Sequence, residues 1–170
     1  MFHKILVALD HSAASQRVFN EALQLAKLLE SHLLLLHIHS SEEYGYPMMW
    51  VTPSIGSSYP GVYDQLVDSY LKLRETFEQQ GLELLKSQAA VAIAAGITTE
   101  FSQNTGEPGP RICDLAKNWE ADLVIVGRRQ QHALSEWFFG SVSNHVLHHA
   151  PCSVLAIQGQ TEPQETVAQS

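Results

Sequence analysis

Apolar positions along the chain follow two rhythms. Short runs with little polar alternation stand at Ile5–Leu9, Leu33–Ile38, Leu123–Val126 and Cys152–Ile157. Such runs predict strands buried on both faces, as in a parallel sheet. Between them, apolar residues recur at three- and four-residue spacing, the signature of a helix with one face on a core. Val18, Phe19, Ala22, Leu23, Ala26 and Leu29 predict a first helix ending near Ser31. Leu66, Tyr70, Leu73, Phe77, Leu84 and Leu85 predict a long one over Asp64–Ala95, capped by Asp64. Within it Gly81 costs about 1 kcal/mol against alanine and is expected to mark a bend. Gly96 fits a left-handed helix stop. Ile97–Gln103 alternates and reads as a less buried strand. Gly106–Pro110 turns into a helix carrying Ile112, Leu115, Ala116 and Trp119 inward, and Val142–His149 forms the last helix, with Ser141 as its N-cap.

Strands alternating with helices imply an α/β fold: one open five-stranded parallel sheet, Rossmann-like, with helices on both faces. The opening strand, helix and strand form a βαβ unit with a right-handed crossover. The periodic part gives a single domain over residues 1–159, followed by an aperiodic tail at 160–170. Ser40–Tyr63 breaks the pattern, with Tyr44, Tyr46, Trp50, Tyr59 and Tyr63 among glycine, proline and serine. A segment this long is functional or disordered. Either a flap over the sheet's carboxyl edge or a disordered insert fits, and the aromatics favour an ordered or partner-binding loop.

At 170 residues the chain buries a full core without staples. Eighteen acidic against ten basic residues give a net charge of −8, which argues against nucleic-acid and anionic-membrane binding. Cys113 and Cys152 show no metal spacing and read as small buried hydrophobes. The chain starts directly with a strand, and no apolar run approaches a membrane span of roughly 20 residues. These features place the expected compartment in the cytoplasm.

The candidate chemistry lies between Ala121 and Ile157. Gly127 ends a buried strand, at the edge where open α/β sheets bind ligands. Gly140 and Ser141 precede a helix, whose free backbone N–H groups attract anions. Arg128 and Arg129 stand nearby and could add charge to a phosphate or remain a solvated pair. The segment reads as a nucleotide-phosphate pocket.

An ordered set of four motifs over about the first 158 residues resembles the universal stress protein family. Gly127, Arg128-Arg129, Gln130, nine residues and then Gly140-Ser141 follow the family's glycine signature, with Gln130 in place of its middle glycine. Ile5–Asp10 is similar to its first strand ending in Asp, Gly106-Glu107-Pro108 to its Gly-x-Pro, and Pro151–Leu155 to its last strand. The resemblance implies strand order 3-2-1-4-5, which brings Asp10 and Gly127 to one crevice. It implies ATP or another adenine nucleotide, with or without Mg²⁺, held by Ala8, Leu9, Asp10, Ile38, Val126, Gly127, Arg129, Gln130, Gly140, Ser141, Val142 and Ser143. It also implies a homodimer through the last strand, which would cover an apolar edge, and a stress-response or signalling role. Gln130 restricts φ and adds bulk where glycine would let the loop close on a triphosphate, although its amide can donate to one.

Two other classes compete with a nucleotide-binding module. A slow ATP-hydrolysing enzyme would need a Walker lysine or a Mg²⁺ carboxylate pair, and neither is evident. A nucleotide-free interaction protein of the same fold, with an unknown protein partner, is favoured by Gln130. Ser12 and Ser141 lack the His–Asp order of a hydrolase triad, so no catalytic residue is assigned. His145 and His149 are spaced for two metal ligands, but no third is evident, and with His132 and His148 they read as surface histidines. No metal site is assigned.

Overall fold

The computed structural model describes residues 1–40, 47, 60–128 and 140–158. The loop insert, apart from Ser40, Pro47 and its last residues, lies outside this range, as do Arg129, Gln130, His132 and the tail. The elements run β1 (Lys4–Leu9), α1 (Ala13–Leu29), β2 (His32–His39), α2 (Pro60–Ala94), β3 (Thr99–Thr105), α3 (Pro108–Asn118), β4 (Leu123–Arg128), α4 (Ser141–His149) and β5 (Ser153–Gln158). The five strands form one parallel sheet in the order β3-β2-β1-β4-β5. Both the expected class and the expected order hold.

Alternate residues of the strands serve two cores. Ile5, Val7, Leu33, Leu35, Leu123 and Ile125 pack with Val18, Phe19, Ala22 and Ala26 of α1 and with Leu85, Ala89 and Ala92 of α2. Leu6, Leu34, Leu36, Ile38, Val124 and Val126 pack on the other face with Ile112 and Ala116 of α3 and Val146 of α4. Central strands with apolar residues on both faces explain why β1 and β4 show no alternation. The outer strand β3 is mostly half-buried or exposed, as its alternating sequence predicted.

Several expectations need correction. Helix α2 starts at Pro60, a residue suited to a first turn because that N–H needs no partner. Asp64 therefore lies inside the helix and does not cap it. At 35 residues α2 spans roughly 52 Å, about twice the reach of strands this short. Its first turns overhang the sheet, so Leu66 and Leu73 are exposed while Phe77 and Leu85 are buried. Strand β3 is shifted to Thr99–Thr105, with Ile97 buried just before it. Trp119 caps the end of α3 and is half-buried. Gly140, not Ser141, is the N-cap of α4. Both cysteines are free thiols packed against the second core, as small apolar side chains would be, but half-buried instead of fully buried. Burial pushes each thiol above its ordinary value, helped by Asp114 at Cys113 and by Asp122 and Cys113 at Cys152. Gly96 has φ of 83° and closes the helix as expected.

Candidate functional site

The crevice lies at the carboxyl edge of the sheet, where the order reverses between β1 and β4. Strands leaving a switch point send their connections to opposite faces, which opens a gap above the sheet. Here the gap is a cavity of about 260 Å³, near the lower end of small-molecule sites. Its floor comes from Ala8, Leu36, Ile38 and Val126, its β1 rim from Leu9 and Asp10, and its far wall from Gly127, Arg128 and Gly140–Ser143. Of the residues singled out in the sequence, Ala8, Leu9, Asp10, Ile38, Val126, Gly127, Gly140, Ser141, Val142 and Ser143 all line this cavity. Arg129 and Gln130 lie outside the described residues.

Asp10 shapes the first rim. Its Oδ1 accepts a hydrogen bond from the backbone N–H of Ser12 at 2.9 Å and from the Ser12 hydroxyl at 2.5 Å. Its own N–H donates to Ser15 Oγ at 2.8 Å. These bonds form a local turn that ties the end of β1 to the start of α1. Ser12 stands at the N-cap of α1 and makes no side-chain cap bond, so the turn alone holds this junction.

The opposite rim is a helix start. Asn144 N–H donates to the Gly140 carbonyl at 2.9 Å, closing the first turn of α4. The N–H groups of Ser141, Val142 and Ser143 precede that bond and have no intrahelical acceptor. Ser143 Oγ donates back to the Gly140 carbonyl at 3.1 Å. Gly140 has φ of −56° and ψ of 154°, an extended backbone open to any residue. Gly127 also lacks positive φ, and a Cβ there would stand 3.2 Å from Val18 Cγ2. Its missing side chain lets α1 press against β4 beside the crevice.

Sequence reasoning did not single out Ser15, Ser40, Pro108 or Ile112, which also line the cavity. Pro108 was legible as part of Gly106-Glu107-Pro108, yet nothing local shows that α3 starts over β2. Three-residue groups of His, Cys, Asp or Glu able to hold a metal are absent among the described residues.

The universal stress protein family pattern matches residues 1–158, the whole of the sheet and its helices. The chain belongs to the universal stress protein family. A universal stress protein of Synechocystis is 36% identical over 160 residues, covering 92% of this chain and 98% of that protein. A universal stress family protein of Arabidopsis thaliana, solved with AMP bound, is 22% identical with a TM-score of 0.63, covering 94% of this chain and 93% of the other. The universal stress protein of Archaeoglobus fulgidus in complex with dAMP is 18% identical with a TM-score of 0.57, over 91% of this chain and 97% of that one. At these identities the two structures show that the universal stress protein fold is shared.

Proposed function

We propose that this universal stress protein binds an adenine nucleotide of the ATP or AMP type in the β1/β4 crevice. The reading is carried by one observation: the Asp10 turn and the first-turn N–H groups of Ser141–Ser143, which have no acceptor within the helix, border the same cavity from opposite sides. The helix start offers phosphate oxygens backbone donors and the positive end of the helix dipole. Ile38 and Val126 offer an apolar floor to a base, and Asp10 a carboxylate to a ribose or base edge. Related structures solved with AMP and with dAMP bound support the nucleotide class. A phosphate-bound Mg²⁺ would keep most of its waters and needs few protein ligands, in keeping with the sparse acidic lining.

The protein acts in this reading as a cytoplasmic homodimer, joined through β5, in stress response or signalling. Strand β5 pairs with β4, and Leu155 remains 39% exposed. Nucleotide-dependent signalling is favoured over a slow ATPase, for which the sequence offers neither a Walker lysine nor a Mg²⁺ carboxylate pair. Gln130 keeps a nucleotide-free interaction protein as the second reading. Mass spectrometry of small molecules released from freshly purified, denatured protein separates these. An adenine nucleotide at near-stoichiometric yield supports the first reading. None retained, together with no calorimetric binding of AMP or ATP, overturns it in favour of the second. Release of phosphate from ATP would identify the enzyme.

A further inference from the structure

Three of the nine histidines of this chain stand in the last turns of α4, at positions 145, 148 and 149. We propose that His145 and His149 form a two-histidine chelate for a divalent transition cation of the Cu²⁺, Ni²⁺ or Zn²⁺ class. The pair is separated by one helical turn, so both side chains leave the same face. Their rings stack at 4.2 Å between centroids with an interplanar angle of 18°. Two imidazoles on one ion, with metal–nitrogen bonds near 2.0 Å, hold their ring centres roughly 5 Å apart. The two rings therefore already stand at about chelating separation. Stacked rings aim their in-plane lone pairs along parallel lines, so chelation turns the His145 ring about its soft χ2 torsion while His149 stays in place.

The second observation is the hydrogen bond of His149. Its Nδ1 lies 2.9 Å from the carbonyl oxygen of His145. The carbonyl can only accept, so Nδ1 carries the proton and Nε2 keeps its lone pair. Metal-bound histidines are commonly held by such a bond from the other ring nitrogen. His145 is held from the far side, because a Cβ on Gly109 of α3 would stand 2.8 Å from its Cγ. The site also lies at a helix carboxyl end, where unpaired carbonyls and the negative end of the dipole favour a cation. With no third ligand among the described residues, water fills the remaining positions. Nitrogen donors select borderline transition ions, Cu²⁺ above Ni²⁺ and Zn²⁺, over Ca²⁺ and Mg²⁺, which prefer oxygen. His148 lies off the pair, 6.5 Å from the His149 ring and at a steep angle to it.

The full chain, without a histidine tag, is titrated calorimetrically with Cu²⁺ and with Zn²⁺, beside His148→Ala, His149→Ala and the double variant His145→Ala/His149→Ala, all in a common His3→Ala background so that Met1-Phe2-His3 offers copper no competing site. Melting curves without metal confirm that the variants fold, and His148 and His149 are both exposed. The expected result is one tightest equivalent, Cu²⁺ tighter than Zn²⁺, weakened roughly a hundredfold in His149→Ala as the chelate loses one arm. His148→Ala leaves it unchanged. Copper electron paramagnetic resonance should show coupling to two imidazole nitrogens in the wild type and one in His149→Ala. The proposal is overturned if the double variant binds the first equivalent as tightly as wild type, or if the wild-type spectrum shows one nitrogen.

Discussion

A side-chain carbon added to Gly81 would stand 2.5 Å from Nδ1 of His37. Helix α2 thus meets strand β2 through a glycine, and two histidines fill the space beneath it. His37 is 0% and His39 2% exposed. Their rings meet edge to face at 4.6 Å, and Phe77 of α2 lies 5.7 Å from His39. Gln103 of β3 contacts His39 and donates to the Glu78 carbonyl at 2.8 Å, so three elements converge on the pair.

Gly81→Ala should therefore destabilise the protein, although alanine is the better helix former. Propensity returns about 1 kcal/mol, whereas overpacking a close-packed interior costs roughly 1–3 kcal/mol. A net loss of about 1 kcal/mol lowers the melting temperature by roughly 2–4 °C in a chain of this size. Thermal melts of Gly81→Ala, His37→Ala and the double variant form a cycle. An equal or higher melting temperature for Gly81→Ala would show that the imidazoles move aside freely.

Asp122 fastens the start of β1 to the entry of β4. Its Oδ2 accepts from the N–H groups of His3 and Lys4 at 2.8 and 2.9 Å. Those bonds, Lys4 first, hold its carboxyl below the ordinary value. A folded value below the unfolded one gives stability that is fully present above the unfolded value of about 3.9 and is lost as pH falls through the folded value. The wild type should melt above Asp122→Asn at pH 7, and the gap should close on acidification below about pH 4. A gap that stays constant down to pH 2 would assign the difference to packing.

Much of the fold was legible because its signals are local. Ile5–Leu9 and Leu123–Val126 have no polar member, which only a two-sided core explains, and Gly96 ends its helix where expected. The start of α2 was not legible, because Pro60, Gly61 and Tyr63 read as the end of the aromatic loop and Asp64 offers a capping side chain. His37 and His39 were missed for a different reason. Histidine scores as polar, and their burial depends on Gly81, more than forty positions away. At the site, Asp10, Gly127 and Gly140–Ser143 could be read from short motifs. Ser15 and Pro108 could not, since they reach the cavity only through the packing of α1 and α3.

Two substitutions probe the nucleotide reading from opposite sides. Gly140 has an extended backbone that valine also adopts, so Gly140→Val should melt within a few degrees of wild type yet lose AMP and ATP binding at least tenfold. Gln130→Gly should tighten ATP binding by up to about tenfold, or 1.4 kcal/mol, a modest gain because the added glycine must be ordered. Calorimetry decides both. Weaker ATP binding by Gln130→Gly would identify Gln130 as a phosphate donor.

The dimer is tested at β5. Leu155→Pro removes a ladder donor from the strand that pairs with β4. Light scattering should report two chains for the wild type at micromolar concentration and one chain, or unfolded protein, for the variant. A wild-type mass of one chain would exclude pairing through β5.

The central place of β1 has a consequence for synthesis. Residues 5–7 pair on one side with β2 and on the other with residues 123–125 of β4. On the ribosome, that second side stays unpaired until β4 has emerged, a wait of roughly 6–24 s at about 5–20 residues per second. Through that interval the nascent chain displays an open apolar backbone edge, and a second nascent chain on the same message displays the same edge beside it. The strand that anchors the finished sheet is thus the one that waits longest for its second partner while the sheet is being made.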